Sequence, residues 1–246
     1  MASAITRREF GNPAPATRPA ANLRAVKPNS KFGRMPIGTI ACSFRALALI
    51  GFLLSARPTP AQEAKWQSMF DGTSLRGWKE TPFTGRGKVS VEGGAILLGS
   101  GAMTGINWTG ELPRVDYEIR LEAMRVSGYD FFAGITFPVK DSFCSWINGG
   151  WGGRVVGLSS LDDMDASENS TTSSRDFQSG RWYALRFRVT GERIQAWIGE
   201  EQVIDASIVN HDIGLRPGEI ELSKPFGIAS YSTTARLRKI EYRKLP

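Results

Sequence analysis

The sequence predicts an all-β chain folded as an antiparallel two-sheet β-sandwich. Strict apolar–polar alternation runs through 115–123, 181–190 and 192–198, the period of a half-buried strand, and no window holds a 3.6-residue apolar period. Ten or more short strands at regular spacing over about 180 residues imply two packed layers. Composition agrees, since 27 Gly and 7 Trp among 246 residues favour tight turns and strands over a helical bundle.

The N-terminal region reads differently. Residues 1–34 are rich in Pro, Ala, Asn and Arg and show no apolar period, which predicts disorder or a mis-assigned start. Lys31 and Arg34 then precede Met35, an eleven-residue apolar run follows at Ala46–Ala56, and small residues lead to Ala61. A basic segment, a short apolar run and a small-residue cleavage site describe a secretory signal, here over 35–61. The run is too short to span a bilayer, which takes about 20 residues, so no membrane span is expected after signal removal. Thr6-Arg7-Arg8-Glu9-Phe10 has the form of a twin-arginine motif but lies over thirty residues before that run, and Cys42 precedes the run, against lipidation. The expected product is a periplasmic or secreted single domain over 62–246.

Charge divides at the same place. Nine Lys/Arg and one acid fall in 1–61, so the net +7 of the chain becomes −1 over 62–246. The electrostatic case for a nucleic-acid partner therefore disappears. One His (His211) and two Cys (Cys42, Cys144) exclude a multi-His metal site, a Cys-rich zinc site and a disulfide framework. Cys144 has no His near it in sequence to activate it and reads as buried filler.

In chain order, strands are expected at 66–70, 88–91, 95–98, 115–123, 130–137, 143–147, 154–158, 181–190, 192–198, 202–206, 226–231 and 235–243. Val115, Tyr117, Ile119, Leu121 and Ala123 mark one core face; Tyr183, Leu185, Phe187 and Val189 a second; Ile194, Ala196 and Ile198 a third. Glu92-Gly93-Gly94 and Thr190-Gly191-Glu192 form hairpin turns. The first and last strands pair.

Residues 148–180 break this rhythm with six Gly and a dense set of acids, hydroxyls and an amide. Long irregular segments on a rigid sheet are where sites gather. Asp162, Asp163, Asp165, Glu168 and Asn169 admit three readings: a divalent cation such as Ca²⁺ held by hard oxygen ligands, general acid and base for a sugar, or a solvated loop. No other cofactor is indicated. Trp151, alone among glycines, is either a sugar-stacking platform or a lid on the core edge. Trp182 and Trp197 alternate with Arg186, Arg188, Arg193 and Gln195. That face either lines a sugar groove, with Arg186, Gln195 and Trp197 touching substrate, or is an outer face whose aromatics lie under arginine stems. Asp71 reads as a turn cap and His211 as a solvated loop residue.

Phe70-Asp71-Gly72-Thr73-Ser74-Leu75-Arg76-Gly77-Trp78 resembles the F-D-G-x-S-L-x-G-W opening of the 3-keto-disaccharide hydrolase family, with the likeness extending over about 65–245. The resemblance implies a concanavalin A-like jelly roll, of the lectin and glucanase type, in a secreted bacterial protein. It further implies hydrolysis or elimination across the glycosidic bond of a sugar oxidised at C3. The partner it implies is an oxidised di- or oligosaccharide. By position in that fold the strand at 131–137 is central, so Asp130 at its start and Thr136, sharing a face with Phe132 and Gly134, look into the groove. Three departures stand out. Phe132-Ala133-Gly134-Ile135 replaces Asn-Ser-Gly-Ile, Phe143–Ile147 lacks the Glu-x-Gln pair, and Gly227–Tyr231 lacks the Gln-x-His-Gly turn. The family's catalytic residues therefore do not transfer. The expected base is an acid among Asp130, Asp165 and Glu168, with Asn169 or a bound cation at the ketone and Trp151 stacking on the sugar. The alternatives are a carbohydrate-binding module without turnover and an envelope interaction domain.

Overall fold

The computed structural model describes residues 64–246. The leader and signal expected within 1–61 lie outside the described residues. The strands are β1 (Gln67–Ser68), β2 (Trp78–Glu80), β3 (Val89–Glu92), β4 (Ala95–Leu98), β5 (Met103–Trp108), β6 (Tyr117–Gly128), β7 (Ala133–Val139), β8 (Ser142–Gly150), β9 (Val155–Ser159), β10 (Ser173–Ser174), β11 (Trp182–Val189), β12 (Arg193–Ile198), β13 (Glu201–Ser207), β14 (Gly227–Tyr231) and β15 (Thr233–Lys244), with one 3₁₀ turn at Glu219–Ser223. Their pairing is antiparallel throughout. One sheet runs β13-β12-β11-β6-β15-β4-β3, with β1 on β15; the other runs β10-β9-β8-β7-β14-β5-β2. This is the predicted two-sheet sandwich.

The first sheet follows the alternation. Tyr117, Ile119, Leu121 and Ala123 of β6, Tyr183 to Val189 of β11 and Ile194 to Ile198 of β12 turn their apolar side chains inward. Val115 stops short of β6 and is half-buried. Phe187 meets Phe137 and Trp146 of the opposite layer, with ring centroids at 4.5 and 6.3 Å. The buried Tyr117 hydroxyl donates to Pro138 O at 2.6 Å, so its polar end is satisfied across the layers. Gly93 and Gly94 both take positive φ, closing the β3–β4 hairpin as predicted. Gln67 and Ser68 pair with Tyr242 and Glu241, joining the two ends.

In the second sheet the alternation disappears because both faces are covered. All of β7 and most of β5 and β8 are buried. Small residues admit the cover: a Cβ on Gly105 would stand 2.9 Å from the Phe83 ring, one on Gly134 2.9 Å from Phe131, and one on Gly227 2.7 Å from Ser223 O. Strands β2, β5 and β10, which the sequence did not predict, all belong to this sheet.

Candidate functional site

Three neighbouring connections build one mouth at one end of the central strands of the second sheet: 129–132 between β6 and β7, 151–154 between β8 and β9, and Ser232 between β14 and β15. Thr233 Oγ1 donates to Asp130 O and receives its N–H, both at 3.1 Å, and Tyr231 N donates to Phe131 O at 3.0 Å. Asp130 ties the first two connections together. Its Oδ1 accepts from Phe131 N at 2.8 Å and its Oδ2 from Gly152 N at 3.1 Å.

The Trp151 turn rests on a buried cation. Arg125 lies beneath it and donates from Nη2 to Gly153 O at 2.9 Å. Burial lowers the Arg125 pKa, and the Asp130 charge opposes that shift. A Cβ on Gly149 would stand 2.6 Å from the Arg125 guanidinium, and one on Gly153 2.8 Å from Tyr129 O. Gly149, Gly152 and Gly153 all take positive φ, as does Trp151 itself at 48°. A non-Gly residue in that region is uncommon, and here it sets Trp151 out at 42% exposure.

A cavity of about 340 Å³ opens at this mouth. Ser145, Ile147 and Ser159 form its floor on β8 and β9. Asp130, Phe131, Trp151, Tyr231 and Met103 make one wall, and Arg216, Pro217, Glu219 and Ile220 the other. Arg216 pairs with Asp165 (Nη1 to Oδ2, 3.1 Å), and Ser159 Oγ donates to the other Asp165 oxygen at 2.7 Å. Glu219 accepts from the hydroxyl and backbone N–H of Thr84 at 2.8 and 2.7 Å, which hold its carboxyl below the usual range. A carboxylate, a guanidinium, hydroxyls and an exposed indole thus converge on one space, the composition of a polar small-molecule site.

The predicted residues divide. Asp130 and Trp151 line the cavity, and Asp165 stands behind it through Ser159 and Arg216. Thr136 lies on the same outer face, buried, its hydroxyl 2.8 Å from that of Ser145. Phe132 leaves that face and packs between the layers against Phe177 and Tyr183. Glu168 is exposed and does not line the cavity. Asn169 is a buried staple: its amide donates to the carbonyls of Leu158, Met164 and Asp165, and its oxygen accepts from Thr171 N and Oγ1. No polar atom of Asn169 remains for a ketone. The acids of this loop separate, with Asp162 bonding His211 at 2.7 Å and Asp212 N at 2.8 Å. Among the described residues no three His, Cys, Asp or Glu side chains gather to hold a cation, so the Ca²⁺ reading has no cluster to rest on.

Arg186, Gln195 and Trp197 belong to the other sheet. The Arg186 guanidinium lies 3.8 Å over the Trp197 ring, Arg238 4.0 Å over Trp182, and Gln195 bonds Asp205 at 3.2 Å. This is the outer face with arginine-covered aromatics, and none of these residues lines the cavity. Beneath it the buried Glu118 accepts from Arg186, Arg188 and Arg243. Burial raises its pKa, but the hydrogen bonds from Arg188 and Arg243 outweigh that and leave it lowered. Asp71 caps its own turn through Thr73 and Ser74, whose hydrogen bonds hold its carboxyl far below the usual range. Cys144 is buried, and burial pushes its thiol up to about 12. Arg216 and Glu219 come from a Pro-Gly-containing loop whose sequence carries no site signal. Ser145, Ser159, Phe131 and Tyr231 sit in strands and strand ends that look like ordinary sheet.

A family described as the 3-keto-alpha-glucoside-1,2-lyase-like domain matches over residues 65–243. No curated protein matches the chain. Among solved structures, the Crh5 transglycosylase is 10% identical, with 75% of this chain and 85% of that chain covered and a TM-score of 0.50. A putative glycosyl hydrolase from Parabacteroides distasonis is 12% identical, covering 74% and 94%, with a TM-score of 0.47. The carbohydrate-binding module CBM66 from Bacillus subtilis is 16% identical, covering 72% and 100%, with a TM-score of 0.47. At 10% identity the Crh5 likeness speaks to the fold alone. The match over residues 65–243, on the fold and opening motif that the resemblance implies, makes this chain a member of the 3-keto-alpha-glucoside-1,2-lyase-like family.

Proposed function

We propose that this is an exported carbohydrate-active protein that cleaves a 3-keto-glycoside by elimination at the cavity beside Trp151. The observation that carries the reading is the convergence of Asp130, Arg216 and Trp151 on one space in a chain of this family. A ketone at C3 makes the C2 proton acidic. Asp130 takes that proton, Arg216 stabilises the negative charge that develops on the ketone oxygen, and the C1–O bond breaks. The protonated Asp130 returns its proton to the departing oxygen, and water then adds across the new double bond to complete hydrolysis. Trp151 stacks on the sugar ring. The role of base falls to Asp130 because it lines the cavity, whereas Glu168 lies outside it and Asp165 stands behind Ser159 and Arg216. Export rests on the basic, apolar and small-residue sequence of 35–61; among the described residues no helix is long and apolar enough to cross a membrane.

A second reading, binding without turnover, draws on one specific observation. The β8 stretch lacking the family's Glu-x-Gln pair presents Ser145 and Ile147 to the cavity. Incubating the purified protein with a 3-keto-glucoside and its unoxidised parent separates the two. The elimination reading expects consumption of the keto sugar only, and a loss of about 10²-fold or more in Asp130→Asn, the usual weight of a general base. Sugar binding that Trp151→Ala weakens, with no substrate consumed, selects the binding module.

A further inference from the structure

We infer that Tyr129, Trp151 and Tyr231 form one stacking platform that carries the sugar units beyond the second outside the cavity, so the ligand is an oligosaccharide rather than a disaccharide. The inference rests on the carbohydrate reading above and deepens it. Tyr129, Trp151 and Tyr231, at 66, 42 and 42% exposure, are the exposed aromatic side chains among the described residues. Every other aromatic among the described residues is buried or half-buried. All three border the same mouth. Trp151 and Tyr231 line the cavity, and Tyr129 directly precedes Asp130, its carbonyl packed against Gly153 of the Trp151 turn.

Each comes from a different connection, and those connections are laced together by the Asp130–Gly152, Asp130–Thr233 and Phe131–Tyr231 hydrogen bonds. The platform is therefore held in place without a ligand, which limits the ordering cost of binding. Internal packing does not account for the exposure. Tyr231 stacks one face on Phe131 at 5.9 Å, and the Tyr129 side chain has no hydrogen bond or ring partner among the described residues. Val126, Met164, Val209 and Leu222 are exposed singly as well, but the exposed aromatic side chains gather at this one rim, as at a binding surface.

Volume points the same way. A cavity of about 340 Å³ is at the small end for ligand sites, which run from about 300 to 1,000 Å³. It takes one or two rings, and a longer chain must leave by the mouth and cross the aromatics. Flat rings with a polar edge suit a sugar, whose axial C–H face is apolar and whose rim is hydroxylated.

Calorimetric titration of the full chain with α-1,4- and β-1,4-linked gluco-oligosaccharides of two, three and four units tests this, each native and oxidised at C3 of one terminal ring. Affinity is expected to rise from two to four units. Tyr129→Ala is expected to remove about three- to tenfold of that gain, the weight of one stacking contact, while leaving the two-unit sugar unchanged. Tyr129→Phe, which keeps the ring, retains the gain. Affinity independent of length, or an equal effect of Tyr129→Ala on all lengths, overturns the platform while leaving the carbohydrate reading intact. Wild-type protein that binds none of the sugars overturns both. Because Tyr129 is exposed, an unchanged unfolding midpoint in Tyr129→Ala separates lost contact from lost fold.

Discussion

Gly153 shows how one missing side chain sets the geometry of the site. It takes φ 100°, and a Cβ there would press 2.8 Å on the Tyr129 carbonyl and 3.1 Å on the Arg125 guanidinium. The guanidinium end can shift, but the carbonyl belongs to backbone fixed by Asp130 and Thr233. Gly153→Ala is therefore expected to lower unfolding free energy by about 1–3 kcal/mol, the range for a strained backbone position. It also displaces Trp151, so the tryptophan emission of the folded protein should shift with it. Loss of stability without any spectral change would mean that the turn relaxes away from the indole. Gly149 is required by its own backbone, which takes φ 80°, and the Arg125 guanidinium, 2.6 Å from where a Cβ would stand, adds to that demand.

The difference between the two sheets governs what the sequence revealed. Strands of the first sheet have one face on the core and one toward solvent, so apolar and polar residues alternate, and β6, β11 and β12 are legible residue by residue. The second sheet has the core on one face and Phe83, Phe131 and the 3₁₀ turn on the other, and β5, buried over most of its length, loses the period that would announce it. The site follows the same division. Trp151 stood out by its local setting and Asp130 by the strand position that the family resemblance implies, whereas Arg216 and Glu219 reach the cavity through a long-range return of chain that no local spacing encodes. Asn169 illustrates the converse: a polar residue in a polar loop, selected on composition, is spent on the carbonyls of its own loop.

The outer face of the first sheet carries its own element-scale prediction. Glu118 sits fully buried among Arg186, Arg188 and Arg243, on β6 between β11 and β15, and bonds side chains from both neighbours. Replacing it by Gln leaves three guanidinium groups around an uncharged centre. Removing one partner of a buried pair costs about 3–5 kcal/mol, and a third of Arg186 and Arg188 remains exposed, so roughly 2–3 kcal/mol is expected in denaturant unfolding. The pH dependence has a definite sign. The folded-state pKa of Glu118 lies below its ordinary 4.5, so its stabilisation is present above about pH 4.5 and is lost as pH falls further. Glu118→Gln should flatten the acid side of the stability profile. An unchanged acid slope would show that other carboxylates, such as Asp71 and Glu122, carry it.

At the scale of the molecule, the chain closes on itself. β1 adds to β15, Met69 N donates to Ile240 O at 2.8 Å, and Trp78 Nε1 donates to Met69 O at 2.7 Å. Trp66 lies under Arg120 and Arg243, with guanidinium-to-ring distances of 4.2 and 4.7 Å. Phe70, which opens the family motif, and Met69 before it therefore complete the core, at 6% and 3% exposure. These contacts predict a folding unit that includes Trp66 and Met69. A chain beginning at residue 62 keeps every one of these contacts and is expected to unfold at the same midpoint as the full chain. A chain beginning at residue 72 strips β1, uncovers part of β15 and exposes the space left by one Met and one Phe. Burying each is worth about 1.5–3 kcal/mol, so roughly 3–6 kcal/mol should be lost, a large part of the stability of an ordinary domain. Equal midpoints for all three chains would place the domain boundary beyond Phe70 and make the F-D-G opening an accessory to the sandwich rather than its first structural member.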